Sequence, residues 1–340
     1  MSESPKIDLN FFPGWVRKAI TFTIDDGNIV LDRKFMNYVK PAGITGTFNL
    51  RTPLWPDLDA DGYRALYSGY EIANHCRYHA YAFADGKEYA MRDELFDRAT
   101  ADTAFVYKTE EEGIYRIMTY NWTYIADDRR YLECVDKCKV ELEVIFGKGS
   151  IRGYVWPCGK QNNAKVFAEL KTRGYQSIRK TGCTRGDDGF NLPADRDEWS
   201  YTANYTCMTE TAEAFEKLPD DGRLKWYCFG VHSHDFENAG RWDVLEDFCD
   251  KYGNRPEDFW YATVGQIMDY EDAVKAVRVT PDAITNPSQI SLCCTVGGKR
   301  LTLAPGETVS LTNIMSEYCV FLTFRGAKLI TCRVSGNHNS

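Results

Sequence analysis

Residues 18–27 read KAITFTIDDG, an apolar run that breaks on two aspartates and a glycine. Its aromatic and β-branched residues suit a buried pleated strand, and Gly27 supplies backbone angles that other residues resist, so the run ends in a turn. The stretch that follows, IVLDRKFMNYVKPAG (29–43), has helical spacing and stops at Pro41 and Gly43. Strand, acidic turn and helix make one βα unit, and the unit recurs. TGTFNL (45–50), YEIANH (70–75), IRGYVWP (151–157), KWYCFGVHS (225–233) and FWYAT (259–263) read as strands. DADGYRALYSG (59–69), RRYLECVDKCKVELEVIFGKG (129–149), NAKVFAELKTRG (163–174), RWDVLEDFCDKYG (241–253) and VGQIMDYEDAVKA (264–276) read as helices. Alternating strands and helices predict a parallel sheet with helices outside, an α/β fold.

Two regions depart from the alternation. Residues 81–128 are charged and aromatic-rich, with helical stretches but no clean βα unit, and read as an insertion. From residue 281 onward, NPSQISLCCTV, GGKRLTLAPGETVSL and CVFLTFRGAKLITCRV read as short strands with turns, an antiparallel appendage over 281–340. Domains are therefore expected at 1–280 and 281–340.

The chain has 340 residues, 44% hydrophobic and 26% charged, with a formal net charge of −8, so an electrostatic nucleic-acid surface is not expected. No window has the long uncharged run of a membrane helix. MSESPKIDLNFFPGW lacks the basic start and apolar core of a signal peptide, so a cytoplasmic location is expected. The 12 cysteines are dispersed without a CxxC pair, which predicts buried free thiols rather than a disulfide framework or zinc ribbon.

Four of the five histidines form two groups, His75 and His79 in NHCRYHAY, and His232 and His234 in VHSHDF. On one helical turn, residues four apart share a face, so His75 and His79 could grip one metal ion; they could equally be two surface histidines. Asp25 and Asp26 leave their strand in different directions, so one could complete a two-histidine, one-carboxylate site while the other takes a proton from water. A strand ending in DDG is also an ordinary polar turn. His232 and His234, two apart, could both line a pocket from one strand, with His234 either shaping it or pairing with Asp235. Every one of these groups falls at a strand's C-terminal end, where α/β folds place their sites.

Together these segments resemble the polysaccharide deacetylases of carbohydrate esterase family 4 over roughly residues 15–275. TFTIDDG resembles the family's first motif, NHCRYH its second, and VWPCGKQN and the strand ending at His232 its later ones. The resemblance implies a (β/α) barrel-like deacetylase fold, distorted or incomplete, and removal of an acetyl group from an N-acetylated sugar or oligosaccharide. It implies that Asp26, His75 and His79 hold one divalent metal ion, most simply zinc. It further implies that Asp25 is the general base, the backbone N–H of Cys158 helps hold the oxyanion, and His232 is the general acid. Cys76 stands where the family has serine or threonine, and Cys158 where it has tyrosine. The family's arginine before the VWPCG turn is unmatched, Arg152 lying five residues ahead of Pro157. No aspartate to orient it stands out, Asp187, Asp188 and Asp195 being the nearby ones.

Two other readings stay open. One is a carbohydrate-binding homologue that has lost turnover. The other is a binuclear amidohydrolase-type enzyme with His232 and His234 as ligands. A homo-oligomer through the C-terminal strands also stays open.

Overall fold

The fold was obtained as a computed structural model that describes residues 5–82, 89–91, 94–97, 102–108, 114–117, 123–125, 128–157, 163–184 and 187–312. Contacts divide the chain into residues 10–272 and a second unit of residues 1–9 with 273–340.

In the first unit, eight parallel strands carry the architecture: β1 Lys18–Asp26, β2 Gly46–Thr52, β3 Glu71–Arg77, β4 Gly153–Val155, β5 Ser177–Cys183, β6 Trp199–Tyr201, β7 Lys225–His232 and β8 Phe259–Tyr261. Their order is β6-β5-β4-β3-β2-β1-β7, with β8 on β1. β8 pairs with Lys18–Ile20 and β2 with Phe22–Asp26, so the two share β1 end to end. Beyond β6 the backbone joins β7, with Thr202 N–H donating to the Cys228 carbonyl (2.7 Å) and Gly230 N–H to that of Ala203 (2.8 Å). That junction brings the ends of the strand order together. The result is an irregular (β/α) barrel, the α/β class expected from the alternation.

The sequence of β1 sets its register. Ile20, Phe22 and Ile24 point outward into the main core, where Phe22 meets Phe35 and Phe229 edge-on at 5.3 Å. Burying each such side chain stabilises the fold by about 1.5–3 kcal/mol. The alternate residues Thr21, Thr23 and Asp25 are buried too, and they make polar contacts: Thr21 accepts from Trp226 Nε1 (2.7 Å), and Thr23 and Asp25 both accept from Asn49 Nδ2. A one-residue slip would exchange the two faces, so the register is strongly specified. β2 docks at Phe22 only because Gly46 has no side chain; a Cβ there would lie 2.4 Å from the Phe22 carbonyl oxygen.

Helices follow the strands: α1 Ile29–Val39, α2 Ala60–Leu66, α3 Asp128–Phe146, α4 Ala164–Thr172, α5 Met208–Glu216, α6 Ser233–Ala239, α7 Trp242–Tyr252 and α8 Val264–Ala276. Asn28, Asp59 and Asn163 cap α1, α2 and α4 by accepting from Leu31, Gly62 and Val166 N–H. α1 is thus fixed one residue beyond the DDG turn.

The sequence signals do not mark β5, β6, α5 or α6. In 81–128 they suggest helical stretches, whereas the described residues there are short strands, Tyr89–Met91, Glu94–Asp97, Asp102–Lys108, Ile114–Ile117 and Thr123–Ile125. β-branched and aromatic residues in DTAFVYK and IYRI outweigh the helix-favouring charges.

In the second unit, Leu292–Val296 and Lys299–Leu303 form a hairpin turning at Gly297 and Gly298, both left-handed (φ 58° and 83°). Ala283–Thr285 pairs antiparallel with Arg278–Val279 and Thr308–Ser310. Cys76, Cys138, Cys228, Cys249 and Cys294 are buried free thiols. Among the described residues no helix is long and apolar enough to cross a membrane.

Candidate active site

At the end of β1, Asp26 (φ 79°) and Gly27 (φ 74°) are both left-handed. For Asp26 this costs on the order of 1–2 kcal/mol. The turn it makes splits the two carboxylates. Asp25 stays buried on the inner face of the sheet, while Asp26 swings toward the end of β3.

There His75, 1% exposed, donates from Nδ1 to the Val155 carbonyl of β4 (3.0 Å). A carbonyl only accepts, so Nδ1 carries a proton, and Nε2 is the ring nitrogen that faces Asp26. Next comes a bulge. Leu50 pairs with Asn74 and Thr52 with Arg77, so β3 spends one more residue than β2. Cys76, Tyr78 and His79 are left-handed (φ 62°, 63° and 52°), and the chain curls back over Asp26. His75 Nε2 lies 3.5 Å and His79 Nε2 3.3 Å from Asp26 Oδ1. The two histidines therefore meet through a strand end and a left-handed turn, not through the helical turn that their spacing suggests. Cys76 N–H donating to Asn74 Oδ1 (2.8 Å) supplies the local bond that holds the bulge.

Ligand atoms of Asp26, His75 and His79 all lie within 4.8 Å of one another. Asp26 Oδ1 and His75 Nε2 are buried without a hydrogen-bond partner. Buried polar atoms are almost always paired, and a divalent cation among these three side chains would satisfy both orphans. Two imidazoles and one carboxylate form a donor set that suits zinc and leaves coordination positions open. Burial lowers His79 to about 4, with His75 adding to it and Asp26 opposing, so the imidazole is neutral at pH 7. Burial by itself would raise Asp26, but His75 and His79 hold it far below the usual carboxylate range.

Asp25 has a different environment. It accepts from Asn49 Nδ2 (2.7 Å) and from Arg179 Nη2, and the guanidinium of this fully buried arginine lies 5.3 Å from the Tyr201 ring. Burial would raise the Asp25 carboxyl; Arg179, with His75 and His232 behind it, brings it below its ordinary value. An arginine does reach Asp25, then, but from β5. Arg152 instead pairs with Asp269 (2.8 Å), and Asp195 accepts from Asp197 N–H (2.8 Å). The side chains of Asp187 and Asp188, and all of Cys158, lie outside the described residues. The sequence reading missed Arg179 and Asn49. The available signal was an arginine between Ile178 and Gly182 just after a helix, a charge inside a strand-like segment.

His232 ends β7, in register with Asp25. Asp235 Oδ2 accepts from both its backbone N–H and its Nδ1 at 3.0 Å, which leaves Nε2 4.0 Å from Asp26 Oδ2. Burial lowers His232, but Asp235, Asp25 and Asp26 together outweigh it and raise the imidazole to about 9. At neutral pH it is a protonated acid beside the cluster. His234 does not share a strand face with His232, because α6 begins at Ser233. Its ring stacks on His232 at 4.7 Å, and its Nε2 lies 3.9 Å from Asp235 Oδ1. His232, His234 and Asp235 thus form a second group of candidate ligands.

No protein-family model matches the chain, and no curated protein matches it in sequence. Among solved structures, it is similar to a provisionally assigned polysaccharide deacetylase from Mycobacterium smegmatis, at 15% identity and TM-score 0.48, over 82% of this chain and 97% of that one. It is similar to the peptidoglycan deacetylase PdaC from Bacillus subtilis at 13% identity and TM-score 0.40, over 76% and 94%. A family 4 acetyl xylan esterase from Clostridium thermocellum, in complex with a cobalt ion, gives 12% identity and TM-score 0.39, over 75% and 92%. At these values the fold and the chemistry rest on the chain's own residues.

Proposed function

We propose that the chain is a metal-dependent hydrolase that removes the acetyl group from an N-acetylated sugar or oligosaccharide. The observation that carries this reading is the convergence of Asp26, His75 and His79, with orphaned buried ligand atoms, between an Asp25 held by Arg179 and Asn49 and a His232 held by Asp235. A divalent ion held by those three side chains, zinc by its donor set, would polarise an amide carbonyl and make water a nucleophile near neutral pH. Asp25, fixed by Arg179 and Asn49, takes the proton from the attacking water. His232, held in one orientation by Asp235, gives a proton to the leaving amine, which departs badly as an anion. The Cys158 N–H is assigned to the developing oxyanion by the motif resemblance, as is the sugar itself.

The second group of candidate ligands favours one other reading, a binuclear hydrolase using His232, His234 and Asp235. Full-length protein loaded with zinc and supplied with N-acetylglucosamine oligomers separates the possibilities. Catalytic acetate release with one ion per chain is the expected result. Two tightly held ions would favour the binuclear site. A folded, metal-loaded protein that releases no acetate would overturn the deacetylase reading.

A further inference from the structure

Arg51 is a half-buried arginine that the chemistry above does not use. It follows Leu50, whose register partners are Asp26 on β1 and Asn74 on β3. Asn49 faces inward onto Asp25 and Leu50 outward into the core, so alternation returns Arg51 to the inner face, one step beyond Asn49. The β3 bulge that carries His75 and Cys76 lies opposite it. Arg51 thus leaves its strand between the two strands that bring Asp26 and His75.

The other strand-borne arginines of this sheet have carboxylate partners, Arg77 with Glu141, Arg179 with Asp25. Arg152, which precedes β4, has Asp269. Arg51 has no hydrogen bond or ion pair among the described residues. A guanidinium presents five donors in a fork that matches carboxylate and phosphate oxygens, and a half-buried one with no ion-pair partner among the described residues has those donors to offer an anion. On a chain of net charge −8, this arginine is a local feature rather than part of a basic surface.

We infer that Arg51 binds an acidic substituent of the substrate, so that the sugar taken by this site carries a carboxylate or phosphate near its N-acetyl group. The inference rests on the deacetylase reading and names the substrate class. Arg51 determines specificity; the proton transfers belong to Asp25 and His232.

The test compares acetate release by zinc-loaded full-length protein from three sugars: neutral N-acetylglucosamine, N-acetylmuramic acid, which adds a carboxylate, and N-acetylglucosamine 6-phosphate. Wild type should favour one of the acidic sugars in kcat/KM, and which one identifies the anion. Arg51→Gln should cut that preference by about tenfold or more, mainly through KM, as expected for losing a charge-assisted hydrogen bond. Arg51→Lys should restore part of it. Wild type without acidic preference would overturn the proposal, as would an Arg51→Gln variant that slows all three sugars equally through kcat. Should neither these sugars nor N-acetylglucosamine oligomers release acetate, the deacetylase reading has failed, and calorimetric binding then reads the anion site alone. Selective binding of an acidic sugar that Arg51→Gln abolishes would support it; equal binding by both proteins would overturn it.

Discussion

His79→Ala is expected to fold and to lose zinc, with affinity falling by roughly a few hundred- to several thousandfold, one ligand's third of a protein–zinc binding energy of about 10–16 kcal/mol. His79 is the better ligand to remove. His75 is buried and bonded to Val155, so its loss would also leave a cavity and an unpaired carbonyl. His79 sits in the turn, with its side chain 18% exposed. Its left-handed backbone (φ 52°) strains an alanine by on the order of 1–2 kcal/mol, whereas asparagine takes that conformation more readily. His79→Asn is therefore the companion variant. Both should melt near the metal-free wild type while holding far less zinc after dialysis. Wild-type zinc retention in both would remove His79 from the ligand set.

Asp25→Asn should separate metal binding from catalysis. The amide can still accept from Arg179 and Asn49, so the site keeps its shape, but it cannot take a proton. Zinc content should stay at the wild-type level while kcat falls by about a hundred- to ten-thousandfold, the usual range for general base catalysis. A cost in stability comes with it, because Arg179 loses its buried counter-charge. Removing one partner of such a pair typically costs about 3–5 kcal/mol. Turnover is therefore to be measured below the melting transition, with circular dichroism showing folded protein. Wild-type kcat in folded Asp25→Asn would remove Asp25 from the base role.

Much of this arrangement is legible in the sequence because it is local. An apolar run ending in Asp25-Asp26-Gly27 fixes both the strand and the place where its carboxylates emerge. Period-2 alternation in β1 says which residues share a face. The ending of KWYCFGVHS on a polar turn likewise places His232 at the same rim. What the sequence does not reveal depends on long-range register or on backbone handedness. Arg179 meets Asp25 across 154 residues of chain, and nothing in IRK says that this arginine faces inward. The spacing of His75 and His79 suits a helical turn as well as a bulged strand end; the left-handed angles at Cys76, Tyr78 and His79 decide, and none of the three is a glycine that would announce them. His234 illustrates the same limit, since one residue's difference in where β7 gives way to α6 moves it from a shared strand face onto a helix.

Anomalous diffraction at the zinc edge, from crystals of full-length protein, tests the site most directly. One ion per chain is expected, bound by the Asp26 carboxylate, His75 Nε2 and His79 Nε2, with neither Asp25 nor His232 as a ligand. A sole ion on His232, His234 and Asp235, or a coordination sphere without Asp26, would contradict it.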